Sequence, residues 1–140
     1  MTINEIQDEV IEEFIELDDW MDRYQLLIDL GEEQEPLNEE FKTNDNLIDG
    51  CQSRVWLVCE NQNGVLHFQA ESDALIVKGI VNLLLRVVNN QTAKDILDAD
   101  FYFIEKIGLT EHLSPTRSNG LLAMIRKIKV YALAMSASQN

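Results

Sequence analysis

Two cysteines and two histidines, Cys51, Cys59, His67 and His112, carry the thiol and imidazole chemistry of this 140-residue chain. Cys51 sits in the stretch Leu47-Ile48-Asp49-Gly50-Cys51-Gln52-Ser53-Arg54-Val55-Trp56. An apolar pair leads into a polar bend, and a strand-like run follows. A thiol behind a glycine and ahead of Gln-Ser belongs to a loop, where a partner's reactive atom can approach it. Free cysteines are more often packed and inert. A sulfur carrier, by contrast, needs only a thiolate, access and protection from oxidation. Cys59 alternates with Val55 and Leu57 on one strand face, so core packing is expected of it. A straight strand between the two thiols would hold them too far apart for a disulfide.

Rival chemistries lack their spacing. Cys51, Cys59, His67 and His112 include no C-x2-C or H-x3-H pair, so no metal site is expected. A cysteine hydrolase needs a base and a group to orient it. His112 is the only candidate base, and nothing in the sequence sets it against Cys51. His67 falls on a wet strand face. No Gly-rich phosphate loop occurs, and no lysine lies in a recognisable cofactor-binding context, so no resident cofactor is expected. Arg117 goes against local preference, because a cation in the first turn of a helix meets the positive end of the helix dipole. It is either a surface arginine beside a local carboxylate such as Glu111, or a guanidinium reserved for a partner or for the loop around Cys51. Arg54 would lower the pKa of the Cys51 thiol if it pointed back toward it.

Charge excludes further classes. The net charge of −14 comes from residues 1–40, which hold 15 acids and one base, Arg23. Residues 41–140 hold 10 of each. Such a chain has no basic footprint for nucleic acid and none for an anionic membrane. The acidic segment is read as a solvated helical face, with steering of a basic partner as the functional alternative. The length predicts one domain over residues 1–140. The acidic opening residues do not resemble a targeting segment, and two cysteines are too few for a disulfide framework; a reduced, cytoplasmic protein is expected.

The elements that must hold the thiol follow from periodicity. Ile3, Ile6, Val10, Phe14 and Leu17 predict a helix over residues 3–17. Asp18 or Asp19 caps a second, with Trp20, Met21, Tyr24, Leu27 and Ile28 as its apolar side and Gly31 as its end. Residues 32–46 form a long connection. Residues 54–60 and 65–71 form a hairpin around Asn61-Gln62-Asn63-Gly64. Ser72-Asp73 caps a helix over residues 74–88 that is apolar nearly all round. It is too short and too charged to span a membrane. Thr92 opens a short helix through Leu97, and residues 101–107 form another, stopped by Gly108. Ser114 caps the last helix ahead of Pro115. Leu121, Met124, Ile125, Ile128, Tyr131 and Met135 line its inner side, and Arg126, Lys127 and Lys129 are expected outward. Residues 136–140 are expected to fray.

Four stretches, in order, resemble the SufE family of sulfur-acceptor proteins. They are Asp19-Trp20-Met21-Asp22-Arg23-Tyr24, then Gly50-Cys51-Gln52-Ser53-Arg54-Val55-Trp56, then Ser72-Asp73-Ala74 with Val77-Lys78-Gly79, and finally residues 108–121 from Gly108 through His112, Ser114-Pro115 and Arg117 to Gly120-Leu121. The resemblance implies an α+β, SufE/IscU-like fold with a small antiparallel β-sheet packed against several helices. It implies that Cys51 is the persulfide acceptor, within a loop and partner interface of Gly50, Gln52, Ser53, Arg54, Asp73 and Arg117. The implied partner is a PLP-dependent cysteine desulfurase, SufS-like, whose turnover this chain would stimulate. A downstream iron–sulfur scaffold would receive the sulfur. The implied alternatives are a paralogue feeding tRNA modification and a metal- or cluster-binding scaffold on the related fold.

Overall fold

The computed structural model describes residues 1–138, with side chains described through Ser136. Two acidic helices open the chain, α1 (Ile3–Ile15) and α2 (Trp20–Glu33). Two 3-10 turns, Glu39–Phe41 and Asn44–Asn46, lead to the strands β1 (Val55–Gln62) and β2 (Val65–Ser72). Helices α3 (Leu75–Val88), α4 (Ala93–Asp98), α5 (Phe103–Lys106), α6 (Leu109–His112) and α7 (Pro115–Ser138) complete it. The expected fraying of residues 136–140 concerns, in its last two positions, residues outside those described.

The α+β class expected from sequence holds, with a sheet of only two antiparallel strands. Asn63 and Gly64 both have positive φ and join the strands as a two-residue turn, which fixes the register Val55↔Ser72 through Gln62↔Val65. Leu57, Leu66, Phe68 and Ala70 are buried on the core face. A two-stranded ribbon is marginal by itself and leaves two open edges. Both edges are covered here. Asn89 imitates a third strand, accepting from the Phe68 N–H (2.7 Å) and donating to the Phe68 carbonyl (3.2 Å). The other edge receives Ile48, whose N–H donates to the Val55 carbonyl (2.9 Å), and Tyr131, whose hydroxyl donates to the Leu57 carbonyl (3.0 Å). The covering of β1 is therefore also the anchor of the chain around Cys51.

The sheet packs on α3, which is buried on most of its surface. Gly31 does not end α2, as local preference suggested; the helix continues through it to Glu33. Gly31 is a contact residue instead. A Cβ on it would lie 2.7 Å from the Lys78 Cβ, and one on Gly79 would lie 2.0 Å from the Leu27 carbonyl oxygen. The glycines let two helix backbones touch, closer than side-chain-separated helices pack. Met21 is exposed, not part of the inner side of α2. Helix α1 ends two residues earlier than its apolar period suggested. Buried Gln7 joins it to α5, donating to the Asp100 carbonyl (2.9 Å) and accepting from the Phe103 N–H (3.2 Å). Lys129 does not point outward. Its ammonium binds the Ala99 carbonyl (2.9 Å) just beyond α4, while Lys127 lies over the Tyr131 ring.

Candidate functional site

Residues 49–54 leave β1's edge and return to it. Their base is closed by the Ile48–Val55 hydrogen bond and the Leu47↔Trp56 bridge. Gly50 turns the loop with φ +92°, a conformation that side chains disfavour. Its position faces Ala123 of α7, where a Cβ would come within 3.4 Å of the alanine Cβ. The loop therefore lies on the start of α7, and the Cys51 side chain points at it. The Cys51 Sγ–H donates to the Gly120 carbonyl at 3.5 Å, and Gly120 itself is buried.

This geometry sets the state of the thiol. Cys51 is half-buried, and burial pushes its pKa above the ordinary thiol value. A carbonyl acceptor favours the same, protonated form. Arg54 does not counter this. It is exposed, and the thiol takes no stabilisation from it. The resting Cys51 is a guarded thiol rather than an activated nucleophile.

Asp73 also has a different task from the one its position suggested. The helix that follows is capped at Ala74 without a side-chain hydrogen bond, and only Ser72 reaches back, accepting from the Ala74 N–H (3.3 Å). The Asp73 carboxylate instead accepts from the Arg54 N–H (3.1 Å), and the Asp73 N–H donates to the Arg54 carbonyl (3.3 Å). The outgoing arm of the loop is thus latched to the start of α3. Replacing Asp73 by alanine removes one charge-assisted bond of about 1–2 kcal/mol. Amide exchange at Arg54 is then expected to quicken roughly tenfold, with faster alkylation of Cys51. Unchanged exchange at Arg54 would show that the latch carries no strain of closure.

Cys51, Gln52 and Ser53 share a cavity of about 20 Å³ with Val55, Val77, Thr116, Arg117, Gly120 and Met124. That is room for about one water-sized group. A small-molecule substrate needs roughly 300–1,000 Å³. Hollows of that size, about 350 and 340 Å³, flank residues 34–36, and neither is lined by a cysteine. The site around Cys51 suits exchange with another protein's sulfur atom better than turnover of a bound metabolite.

Arg117 lines this cavity. It is exposed, and among the described residues it makes no side-chain hydrogen bond or ion pair, with Glu111 or any other carboxylate. Ser114 does cap α7, accepting from the Arg117 N–H (3.3 Å). The structure brings together Gly50, Cys51, Gln52, Ser53, Arg54, Asp73 and Arg117.

His67, His112 and Cys59 lie elsewhere in the contacts they make. His112 stacks on Trp20 with ring centroids 3.8 Å apart. Cys59 pairs with Phe68 across the sheet and is half-buried. Burial, then Glu60, push its pKa to about 11. Its proton is held more tightly in the fold than in the unfolded chain, where the ordinary value is 9.0. The resulting stability is present below pH 9 and is lost as pH rises through 11. Tyr131, raised by burial and then by Cys59, adds to the same loss. The urea midpoint is expected to fall over this range, and to fall less steeply in Cys59→Ala. An equal slope in the two proteins would contradict the assignment.

Sequence reasoning missed Arg23. Its Nε donates to the Leu17 carbonyl (2.7 Å) and its Nη1 to the Ile107 carbonyl (2.9 Å), with the guanidinium over Trp20. The Tyr24 hydroxyl donates to the His112 carbonyl (2.9 Å). The Trp20–Tyr24 turn thereby fixes the chain that runs into Pro115, and so sets where Gly120 and Arg117 stand. One signal was available: Arg23 is the single base among the 15 acids of residues 1–40.

A family model for the SufE, Fe–S metabolism associated domain matches residues 8–132. The chain belongs to the SufE family. An uncharacterized SufE-like protein of Rhizobium etli is 40% identical to this chain over 136 residues, covering 94% of it and 92% of the relative. A hypothetical protein from Thermus thermophilus, solved in solution, shares the SufE-family fold seen here. It superposes with a TM-score of 0.76 at 19% identity, covering 92% of this chain and 94% of its own. Membership of the family associates the protein with Fe–S metabolism. Among the described residues no helix is long and apolar enough to cross a membrane. Nor do any three His, Cys, Asp or Glu side chains there converge as a metal site.

Proposed function

We propose that Cys51 accepts persulfide sulfur from a PLP-dependent cysteine desulfurase and passes it to an iron–sulfur assembly scaffold. The observation that carries this reading is the guarded thiol: half-buried on a latched loop, against Gly120, beside a cavity with room for about one more atom. The family's association with Fe–S metabolism supports it.

The step is a thiol–disulfide type exchange. On docking, the loop releases Sγ from the Gly120 carbonyl, and the thiol leaves the environment that raised its pKa. Arg117, with no carboxylate of its own, favours the thiolate from the side of α7. The Cys51 thiolate attacks the outer sulfur of the desulfurase's cysteine persulfide. A sulfur–sulfur bond forms at Cys51 as the partner's breaks. The partner's cysteine leaves as a thiolate and takes up the proton that Cys51 released. No net oxidation occurs, so neither a cofactor nor an oxidant is needed on this chain. Clearing the persulfide lets the desulfurase turn over again, which is the basis for stimulation. A carrier of this kind belongs in the cytoplasm, where thiols are kept reduced. Gly50, Gln52, Ser53, Arg54, Asp73 and Arg117 shape the loop and its contact with the partner.

Mass measurement tests the reading. After incubation with the desulfurase and L-cysteine, the protein should gain one sulfur atom on the tryptic peptide that contains Cys51. No gain, or a gain confined to the Cys59 peptide, refutes it.

A further inference from the structure

The outer face of α7 has not been used by anything above. It carries Leu122, Arg126, Val130 and Leu133, at spacings of four, four and three residues, so they share one side of the helix. Leu122 is 50% exposed, Val130 55% and Leu133 62%. Scattered exposed apolar residues need no explanation, but a row along one helix face is a contact surface. From Leu122 to Leu133 the row runs roughly 16 Å along the axis, at about 1.5 Å per residue. Its near end borders the thiol site: Leu122 is next to Ala123, the residue that Gly50 of the loop faces.

Charge identifies what covers it. Helix α7 holds four bases, Arg117, Arg126, Lys127 and Lys129, and no acid, in a chain of 11 bases and 25 acids. Lys129 is committed to the Ala99 carbonyl, and Lys127 to the Tyr131 ring. Arg126 is exposed and, among the described residues, has no carboxylate partner. An unpaired arginine in the middle of an apolar row, on a protein with acids to spare, is complementary to a partner that brings its own carboxylate. A second copy fits poorly. Two such faces paired about a two-fold axis near the middle of the row would set Arg126 against its own counterpart, a like-charge contact.

We infer that this face of α7 is the seat of the sulfur-donating protein, which presents to it an apolar strip with a carboxylate opposite Arg126. The inference rests on the proposed function and says how the donor is held while the loop opens beside it. Leu122 and Val130 supply the apolar contact, and Arg126 sets the register along the helix. Because the row adjoins the loop, seating the partner brings its cysteine to the Cys51 side of α7.

The test compares two sulfur sources. Wild type, Arg126→Glu and the double variant Val130→Glu/Leu133→Glu are each titrated into the desulfurase with L-cysteine. Each is also loaded from inorganic polysulfide, which needs no docking surface. The half-saturating concentration for desulfurase stimulation is expected to rise about tenfold or more in the variants. Loading of Cys51 from polysulfide should be unchanged, which shows that the thiol site is intact. Unchanged half-saturation in both variants overturns the inference while leaving the proposed function standing. So does a wild-type dimer in sedimentation that the double variant dissolves, because the occupant is then a second copy. Wild type that takes sulfur from polysulfide but never from the desulfurase defeats the proposed function, and this surface with it.

Discussion

Cys51→Ser takes up no sulfur from the desulfurase and returns the desulfurase to its unassisted rate, while its unfolding midpoint stays close to that of the parent. The first half follows from chemistry. A hydroxyl forms no persulfide, and no other nucleophile lines the cavity shared by Gln52, Thr116 and Arg117 with the competence to replace it. The second half follows from geometry. Serine keeps a donor for the Gly120 carbonyl, and the half-buried site tolerates the smaller atom at a change of about 1 kcal/mol or less. Cys59→Ala is the matching control and should load fully. Cys59 is held on β1 opposite Phe68 with its pKa pushed to about 11, so it offers almost no thiolate at neutral pH. Sulfur retained by Cys51→Ser, or lost in Cys59→Ala, would reverse the assignment of the two thiols.

Gly79→Ala is expected to destabilise the fold by roughly 3 kcal/mol or more, although the same change in an ordinary helix interior adds stability. The usual gain of about 0.5–1 kcal/mol reflects the entropy of the glycine backbone. It is overridden because the new Cβ would sit 2.0 Å from the Leu27 oxygen and 2.6 Å from its carbonyl carbon. Those are backbone atoms, which no rotamer change moves aside. Helix α2 must back away, opening the contacts of Leu27, which is fully buried. Domains of this size hold only about 5–15 kcal/mol in total, so the urea midpoint should drop well clear of error. The consequence reaches the thiol. Val77, one turn before Gly79 on α3, lines the Cys51 cavity, and α2 carries the Trp20–Arg23 contacts that set the start of α7. A midpoint unchanged in Gly79→Ala would mean that the two backbones do not meet as described.

The hairpin, the caps of α2 and α7, and the buried character of α3 were legible in the sequence because each depends on residues within a few positions of one another. Asn63-Gly64 supplies two positive φ angles, and Asp19 and Ser114 accept from N–H groups two and three residues ahead. The bend at Gly50-Cys51 was legible for the same local reason. Where local preference and packing disagreed, packing won. Gly31 reads as a helix end and Asp73 as a cap, yet the first is spent on a helix crossing and the second on the Arg54 backbone. Lys129 reads as a solvent residue and closes the end of α4.

By itself, then, the sequence determined that a lone thiol stands on a glycine turn between a connection and a hairpin, with no metal spacing and no catalytic base beside it. Only the tertiary structure decided the state of that thiol. Gly120 lies 69 residues from Cys51, Asp73 lies 19 from Arg54, and Ile107 lies 84 from Arg23. No periodicity or turn preference reaches across such separations. They are settled by which surfaces pack, and it is that packing which buries the thiol and raises its pKa, latches its loop, and leaves Arg117 unpaired beside it.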